Sequence, residues 1–466
     1  MYTLMIIIFV LGYLAIAFEH QIHVDKAASA LITGVLTWTV YVLGAYEIVD
    51  FNGISAAVMG LFVESGIATN DHHEVITHYV TEHQLFEHLS EISSILFFLI
   101  GAMTIVETID AHEGFSVITD KIKTTKKVKL LWIIGLLSFF FSAALDNLTT
   151  SIVMISLLRK LIDNQQDRWM FAGLVIISAN AGGAWSPIGD VTTTMLWIGG
   201  QITTVNIITK LFVPSFITLL IPLIYLSFRF RGEVKRPEVK PLLESTIDPT
   251  TAKERNTVFI VGVLGLLFVP IFKTTTHLPP FMGMMLSLGA LWLITDFMHR
   301  SKNLNSKLNY SVIGVLKKID IASVLFFLGI LLAVGSLQSA GHLTEMATYL
   351  DDNIGTNTQN GVYAVSIIIG LLSSIVDNVP LVAASMGMYP IEAGYFGQDG
   401  LFWEFLAYCA GTGGSALIIG SAAGVAVMGL ERISFGWYLR KISFLALLGY
   451  FAGAIVYIVQ ESILHM

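Results

Sequence analysis

Long apolar runs dominate this chain and constrain its fold more than any other feature. The 466 residues are 55% hydrophobic and only 13% charged, and the mean hydropathy is +0.74. Runs long enough for a helix to cross the ~30 Å hydrocarbon core of a bilayer follow one another, with short polar connections between them. The pattern predicts an all-α membrane protein that crosses the bilayer many times.

Ten of these runs are predicted to be membrane spans. They cover residues 3–18, 27–46, 92–109, 169–200, 211–228, 257–272, 281–298, 321–337, 401–430 and 442–458. The first run lacks a basic leader and a small-residue cleavage site, so it is predicted to be a retained helix and not a signal peptide. The single cysteine, Cys409, excludes an intrachain disulfide framework and a cysteine-rich metal cluster. Nothing in the sequence indicates nucleic-acid binding.

One short motif occurs twice at a fixed spacing. Ser142-Ala-Ala-Leu-Asp-Asn-Leu-Thr149 and Ser373-Ser-Ile-Val-Asp-Asn-Val-Pro380 each place an acid and an amide within an apolar run. The shift of 231 residues between the copies also carries Gly182-Gly183 onto Gly413-Gly414. Because one register holds through both motifs, the chain is predicted to contain a duplicated unit, which is a common plan among secondary transporters.

Charge placement separates the two copies. No lysine or arginine occurs in residues 27–120 or 319–431, whereas basic residues flank the first copy on both sides. By the positive-inside rule, the first copy enters the membrane from the cytoplasm and the second from outside. Each copy is therefore predicted to be a re-entrant helical hairpin, followed by a transmembrane helix that glycines interrupt. The hairpins cover 130–158 and 361–388, and the discontinuous helices cover 169–200 and 401–430.

The reversed charge pattern predicts two inverted-topology repeats, with both termini outside. The first repeat covers 1–228, with scaffold helices in 1–109 and the hairpin and broken helix in 130–200. A basic cytoplasmic linker covers 229–256, and the second repeat covers 257–466. The matching hairpins and breaks are predicted to meet near the membrane midplane.

The side chains that this arrangement brings together carry oxygen. They are Asp146, Asn147, Thr149 and Ser142 from the first half, Ser373, Asp377 and Asn378 from the second, with Asn180, Asp190, Thr192, Thr193, Thr412 and Ser415 nearby. Carboxylate, amide and hydroxyl oxygens suit a small hard cation, and no nitrogen or sulfur cluster indicates a transition metal. A buried carboxylate binds either a cation or a proton, so the two ligands are expected to compete.

The Asp-Asn-Leu-Thr tip, the Asn180 to Asp190 break and the run that begins at Glu91 resemble the NhaD-type sodium/proton antiporters of the ion transporter superfamily. The resemblance covers nearly the whole chain. It implies exchange of Na⁺ or Li⁺ for H⁺ across a bacterial inner membrane or an organellar envelope, without a cofactor. It also implies a homodimer in lipid and elevator-like movement of the hairpin domain. In related dicarboxylate carriers the hairpin tips read Ser-Asn-Thr, whereas here Asp precedes Asn in both copies.

Each site residue also has a purely structural interpretation. The two motif acids and their asparagines are suited to capping the broken helix ends, and Asp190 is suited to capping a helix that begins at Val191. The threonines and serines are suited to bonding carbonyls one turn back. Five histidines in the polar stretch 64–90 suggest pH sensing or, with less suitable spacing, zinc binding; they are His72, His73, His78, His83 and His88. Glu107 and Asp110 are candidates for a cytoplasmic proton entry.

Two other functions compete with antiport. A sodium-coupled carboxylate symporter or an oxyanion exporter needs a lysine or arginine in the broken segments, and both segments lack one. An intramembrane aspartyl protease also uses two membrane aspartates, but it has no use for an asparagine after each one. A transporter explains more of the repeated residues than an enzyme does.

Overall fold

The computed structural model describes residues 1–55, 58–60, 62, 71–119, 121–237, 250–300, 302 and 310–464. Within these residues the protein is helical, with one isolated antiparallel β-bridge between Lys126 and Glu233 and no strand. In this described part of the chain, eight helices are long and apolar enough to cross a membrane. The prediction of an all-α, multi-pass membrane protein is confirmed.

Seventeen helices of eight or more residues are numbered here in chain order. They are α1 (Tyr2–Ala17), α2 (Lys26–Ile48), α3 (His72–Ala111), α4 (Lys127–Leu145), α5 (Asn147–Leu161), α6 (Gln165–Ala184), α7 (Val191–Ile198), α8 (Thr204–Arg229), α9 (Ala252–Thr276), α10 (Pro280–Met298), α11 (Ile321–Ser339), α12 (His342–Ile354), α13 (Gln359–Leu372), α14 (Asn378–Met388), α15 (Leu401–Gly413), α16 (Ala422–Glu431) and α17 (Ser443–Leu464). The eight candidate spans are α2, α3, α4, α8, α9, α10, α11 and α17.

Each predicted hairpin and each predicted discontinuous helix consists of two helices with a break between them. The first hairpin is α4 and α5, and the second is α13 and α14. The two interrupted runs are α6 with α7 and α15 with α16. The repeat boundaries, their inversion and the re-entrance of the hairpins stay predictions, because they depend on where the membrane lies.

The histidine-rich stretch is predicted to be an outer polar loop with an amphipathic helix that carries His83, Glu87 and His88, and the helix observed is longer. From His72 onward it is helical and continues through a π-helical turn, Tyr79–Gln84, into the rest of α3. Asp71 caps this helix by accepting hydrogen bonds from the backbone N–H groups of His73 and Glu74. Residues 63–70 lie outside the described part of the chain, as do residues 238–249 of the predicted linker.

The chain divides into two compact units. One contains Met1–Leu96, Asp320–Thr356 and Ala383–Pro390. Within it α2 and α11 cross at Gly34 and Gly329, where a Cβ atom on either glycine would collide with the backbone of the other helix. Such close approach through small residues is typical of membrane helix pairs. The Trp38 indole N–H adds a hydrogen bond of 2.8 Å to the Leu332 carbonyl.

The other unit contains Phe97–Ile319, Asn357–Val382 and Ile391–Met466. It includes both helix breaks with an acid–amide pair and both interrupted helices, so all predicted site residues belong to it. Its apolar core contains Leu130, Phe139, Phe171, Leu223 and Tyr438, all fully buried.

Candidate functional site

Asp146 forms the break between α4 and α5. Its φ of +79° and ψ of 162° lie in a region that residues other than glycine rarely adopt. Its carboxylate accepts a hydrogen bond of 2.7 Å from the Thr149 backbone N–H and one of 2.9 Å from the Thr149 hydroxyl. Asp146 thus caps α5, as the structural interpretation requires, and its half-buried carboxylate is held at the helix N-terminus.

Asp190 lies at the second break, before α7, and is the most completely buried of the three predicted carboxylates. It is 2% exposed, and it caps α7 by accepting from the backbone N–H of Thr192 at 2.9 Å and from the Thr192 hydroxyl at 3.0 Å. Asn147 donates to it at 2.7 Å, and Asn378 donates to it at 3.3 and 3.4 Å. The Asp190 carboxylate therefore accepts a hydrogen bond from the asparagine of each of the two acid–amide motifs.

Asn180 extends this network to the second interrupted helix. Its side-chain oxygen accepts from the Asn147 amide at 3.1 Å, and its own amide donates to the hydroxyls of Ser415 at 2.9 Å and Ser421 at 3.0 Å. Asn147, Asn180 and Asn378 are all at most 5% exposed. The network connects both halves of the sequence, and its members around the Asp190 carboxylate are neutral amide and hydroxyl groups.

The two serines that begin the repeated motifs occupy matching positions. The Ser142 hydroxyl donates to the Ala179 carbonyl at 2.6 Å, and the Ser373 hydroxyl donates to the Ala410 carbonyl at 2.8 Å. Both bonds join the first arm of a hairpin to the neighbouring interrupted helix. The glycine pairs match as well, because a Cβ on Gly182 or Gly413 would collide with the backbone of that same hairpin arm.

A small cavity of ≈20 Å³ lies between Asp146 and Asp190. Its lining is otherwise almost entirely apolar and includes Phe98, Leu99, Ala102, Met103, Ala144, Leu145, Ile188, Val191, Thr194, Leu266 and Met284. This volume holds about one water molecule, or one cation that has lost most of its hydration shell. Two acidic residues and Thr194 therefore line a space with room for one small ligand.

The charge around the cavity is negative. Asp190 lies within electrostatic range of both Asp146 and Asp377. Among the described residues, no lysine or arginine forms an ion pair with Asp146 or Asp190. Buried carboxylates without a positive side chain bind a cation or a proton, because an unpaired buried charge is costly.

Several predicted residues take structural roles. The Thr412 hydroxyl donates to the Tyr408 carbonyl one turn back, at 2.6 Å, and the Thr193 hydroxyl donates to the Asp190 carbonyl at 2.9 Å. Asp377 is half-buried, accepts from the backbone N–H of Val379 at 3.3 Å, and does not line the small cavity. The carboxylates nearest to the cavity are therefore Asp146 and Asp190, and not the symmetric pair of motif acids.

Sequence reasoning missed two polar residues of the site. Ser421 accepts from the Asn180 amide and caps α16 through the backbone N–H of Gly424 at 3.2 Å. Thr194 lines the cavity and donates to the Pro187 carbonyl at 3.0 Å. The register of 231 residues carries Asp190 onto Ser421 and marks the serine as its counterpart, although the serine was not predicted as a site residue; no pattern distinguishes Thr194 from its neighbours.

The described residues contain no group of three or more His, Cys, Asp or Glu that could hold a metal ion. His88, from the histidine-rich stretch, contacts the Ser339 hydroxyl at 3.0 Å, and His78 and His83 lie near Glu82 and Glu87 on their own helix. Nothing in the described part of this stretch, from Asp71 onward, supports the zinc interpretation.

Comparison with known proteins agrees with this architecture. The family model for citrate transporters matches residues 13–404. Sodium/proton antiporters 1 and 2 of Arabidopsis thaliana are 45% and 44% identical to the chain, over 98% of it and over 72% and 99% of their own lengths. The Na⁺/H⁺ antiporter NhaD of Vibrio parahaemolyticus is 31% identical over 78% of this chain and 87% of its own length.

The fold and the matched family define a multi-pass membrane transporter and not an enzyme. Within that class, the chain belongs to the NhaD-type sodium/proton antiporters of the citrate transporter family.

Proposed function

We propose that this protein exchanges Na⁺ for H⁺ at one site formed by Asp146 and Asp190. The observation that carries the proposal is the cavity between these carboxylates, which has room for one small ligand and no positive side chain paired with either acid. A cation and a proton neutralise the same oxygens, so binding of one excludes the other. Alternation between the two ligands makes the protein an exchanger.

The proposed ligand set keeps all the predicted residues and gives them different roles. Asp146 and Asp190 bind the ion directly, with Thr149 and Thr192 orienting the two carboxylates. Asn147 and Asn378 donate to Asp190, and Asn180 connects Asn147 to Ser415. The hydroxyls of Ser142, Ser373, Thr193 and Thr412 bond backbone carbonyls around the breaks. Asp377 acts as a nearby charge that favours cation entry.

The inverted repeats are part of the proposal and are supported by the matched breaks. The Ser142 and Ser373 bonds are equivalent under the repeat register, and so are the two glycine contacts. In this arrangement the domains are 1–228, 229–256 and 257–466, with hairpins that enter from opposite sides. Exchange by an elevator-like movement of the hairpins and interrupted helices follows from this plan.

The finer properties are inferred with the function. Li⁺ is a small hard cation like Na⁺ and is expected to share the site. A homodimer in the lipid membrane, in a bacterial cell or an organellar envelope, is expected from the resemblance to the NhaD type. A carboxylate symporter is less compatible with the site, because an organic anion needs positive charge that neither Asp146 nor Asp190 has beside it.

The function is tested in vesicles that contain the purified protein and a pH gradient reported by a quenched fluorophore. Addition of Na⁺ or Li⁺ is expected to restore fluorescence, and K⁺ is expected to restore much less. Asp146→Asn, Asp377→Asn and Asp190→Asn test the three carboxylates. We expect Na⁺-driven dequenching to be lost in Asp146→Asn and Asp190→Asn and to be reduced in Asp377→Asn. Undiminished exchange in Asp146→Asn and Asp190→Asn would remove the proposed site.

A further inference from the structure

A groove along α4 joins a basic end to an apolar end. Its basic section has a volume of ≈540 Å³ and is lined by Lys121, Lys123 and Lys129, with Ile118, Ile122, Thr124, Ile133, Leu136, Leu137 and Phe140. Its apolar section has a volume of ≈500 Å³. It is lined by residues of α4, α8 and α9, and by residues 185–188 in the break that precedes α7. Phe140 lines both sections, so they are neighbours along α4.

The basic section carries positive charge that is available to a ligand. All three lysines are exposed, and among the residues that the structure describes no aspartate or glutamate lines this section. Among the described residues, none of the three lysines forms an ion pair. Three ammonium groups at one end of a membrane helix match a phosphate group at the bilayer surface.

The apolar section lies deeper along the same helix. Phe140 is eleven residues beyond Lys129, which corresponds to ~16 Å along a helix and to about half of the hydrocarbon core. The section ends at Leu145 and Ile188, which also line the small cavity with Asp146 and Asp190. On its other side lie Phe259, Val263 and Leu267 of α9.

We propose that this groove binds one anionic glycerophospholipid. Its phosphate lies against Lys121, Lys123 and Lys129, and one acyl chain follows α4 past Phe140 into the apolar section. The distance along α4 and the change from charged to apolar lining fit a headgroup and a chain, whereas a free phosphate would leave the apolar section without a ligand. A chain in this position fills the space between the first hairpin and α9 and so stabilises the hairpin where it is.

Thermal unfolding of the full chain in detergent tests the proposal without any transport measurement. Phosphatidylglycerol is expected to raise the midpoint by at least ~2 °C more than phosphatidylcholine does, because it binds only the folded protein. Glycerol phosphate, which has the phosphate and no acyl chain, is expected to give no such increment. Equal effects of the two phospholipids, or an increment from glycerol phosphate alone, would overturn the lipid assignment.

Variants locate the two ends of the lipid. Lys121→Gln, Lys123→Gln and Lys129→Gln together are expected to abolish the increment, whereas the matched triple change of the exposed Lys235, Lys253 and Lys317 to Gln keeps it. Val263→Trp fills the apolar section and is expected to reduce the increment with every lysine in place. If the first triple variant or Val263→Trp kept the full increment from phosphatidylglycerol, the proposal would be contradicted. It would also be contradicted if the control triple variant lost the increment to the same extent. Failure of antiport activity would leave these results unchanged, because unfolding is measured without an ion gradient.

Discussion

At the scale of single residues, backbone strain accompanies the charged group at the first break. Asp146 adopts a φ of +79° and a ψ of 162°, which cost a residue with a Cβ ~1–3 kcal/mol. The backbone N–H and the hydroxyl of Thr149 donate hydrogen bonds to the Asp146 carboxylate and offset part of this strain. Glycine would relax the backbone at this position, and the chain nevertheless has an acid there, which is consistent with a functional role for the carboxylate.

This strain predicts opposite effects on stability and exchange. Asp146→Gly should remove exchange but unfold at a higher temperature than Asp146→Ala, because glycine adopts this φ without strain and loses little as a helix cap. The two midpoints are measured by thermal unfolding in detergent, and exchange is measured in vesicles. Equal midpoints would show that the backbone at Asp146 is not strained in the membrane.

At the scale of helices, an ion-pair cluster ties the end of α16 to α5 and α6. Glu431, whose side chain is 1% exposed, accepts from Arg159 at 2.7 Å and from Arg168 at 2.6 Å. The side chain of Arg159 is 48% exposed and that of Arg168 is 19% exposed. The cluster joins an interrupted helix of one half to the hairpin arm of the other, so these helices are expected to move together.

The two arginines should contribute unequally to this connection. Arg168→Gln is expected to lower the free energy of unfolding by up to ~3 kcal/mol, because it removes a partner of a buried carboxylate. Arg159→Gln, in the more exposed position, is expected to cost less than ~1 kcal/mol. Both variants remove one positive charge, so their unfolding midpoints show directly which arginine contributes more to stability. A larger loss in Arg159→Gln would contradict the assignment of Arg168 as the main partner.

A buried histidine pair lies just beyond the ends of α3 and α10. His112 Nδ1 lies 2.7 Å from the Thr108 carbonyl, so this nitrogen carries the proton and His112 Nε2 accepts from His299 Nε2 at 2.7 Å. Burial lowers the pKa of His112, and burial together with His112 and Lys302 lowers the pKa of His299 to about 4. Glu254 faces His299 Nδ1 at 3.8 Å and offsets little of this effect.

The pair predicts a loss of stability in acid. The folded protein keeps His299 neutral, whereas the unfolded chain takes up a proton below the ordinary pKa of 6.5. Above pH 6.5 His299 therefore has no unfavourable effect on the free energy of unfolding. This free energy is expected to fall as the pH drops from 6.5 towards 4. His299→Gln should flatten this fall in the unfolding midpoint, and His277→Gln, at an exposed position, should not. An unchanged slope in His299→Gln would assign the acid sensitivity to other groups.

At the scale of the whole molecule, local properties of the sequence predicted the helices and their breaks, whereas the predicted site depends on contacts between distant residues. Apolar runs identify membrane helices because length and hydropathy are local properties, and the repeat register located the breaks at Asp146 and Asp190. It could not identify Asp190 as the residue where the halves meet, because its bond to Asn378 spans 188 residues and depends on packing. The helical form of residues 72–82 was missed, because their polar composition resembles a loop.

Departure from repeat symmetry gives the proposed site its single centre. Asp190 accepts amides from both Asn147 and Asn378, whereas its repeat equivalent, Ser421, accepts from Asn180. One half therefore provides a buried carboxylate where the other provides a hydroxyl. This asymmetry favours one exchange site in the molecule and not two.

Kinetics distinguish competition between Na⁺ and H⁺ for the same carboxylates from binding of the two ions at separate sites. Initial rates of Na⁺-driven exchange would be measured in vesicles over a range of Na⁺ concentrations at several pH values. The account predicts that the KM for Na⁺ rises as the pH falls, approaching a tenfold rise per pH unit, while the maximal rate changes little. A KM that stays constant while the maximal rate falls would show that the proton binds elsewhere and would contradict the account.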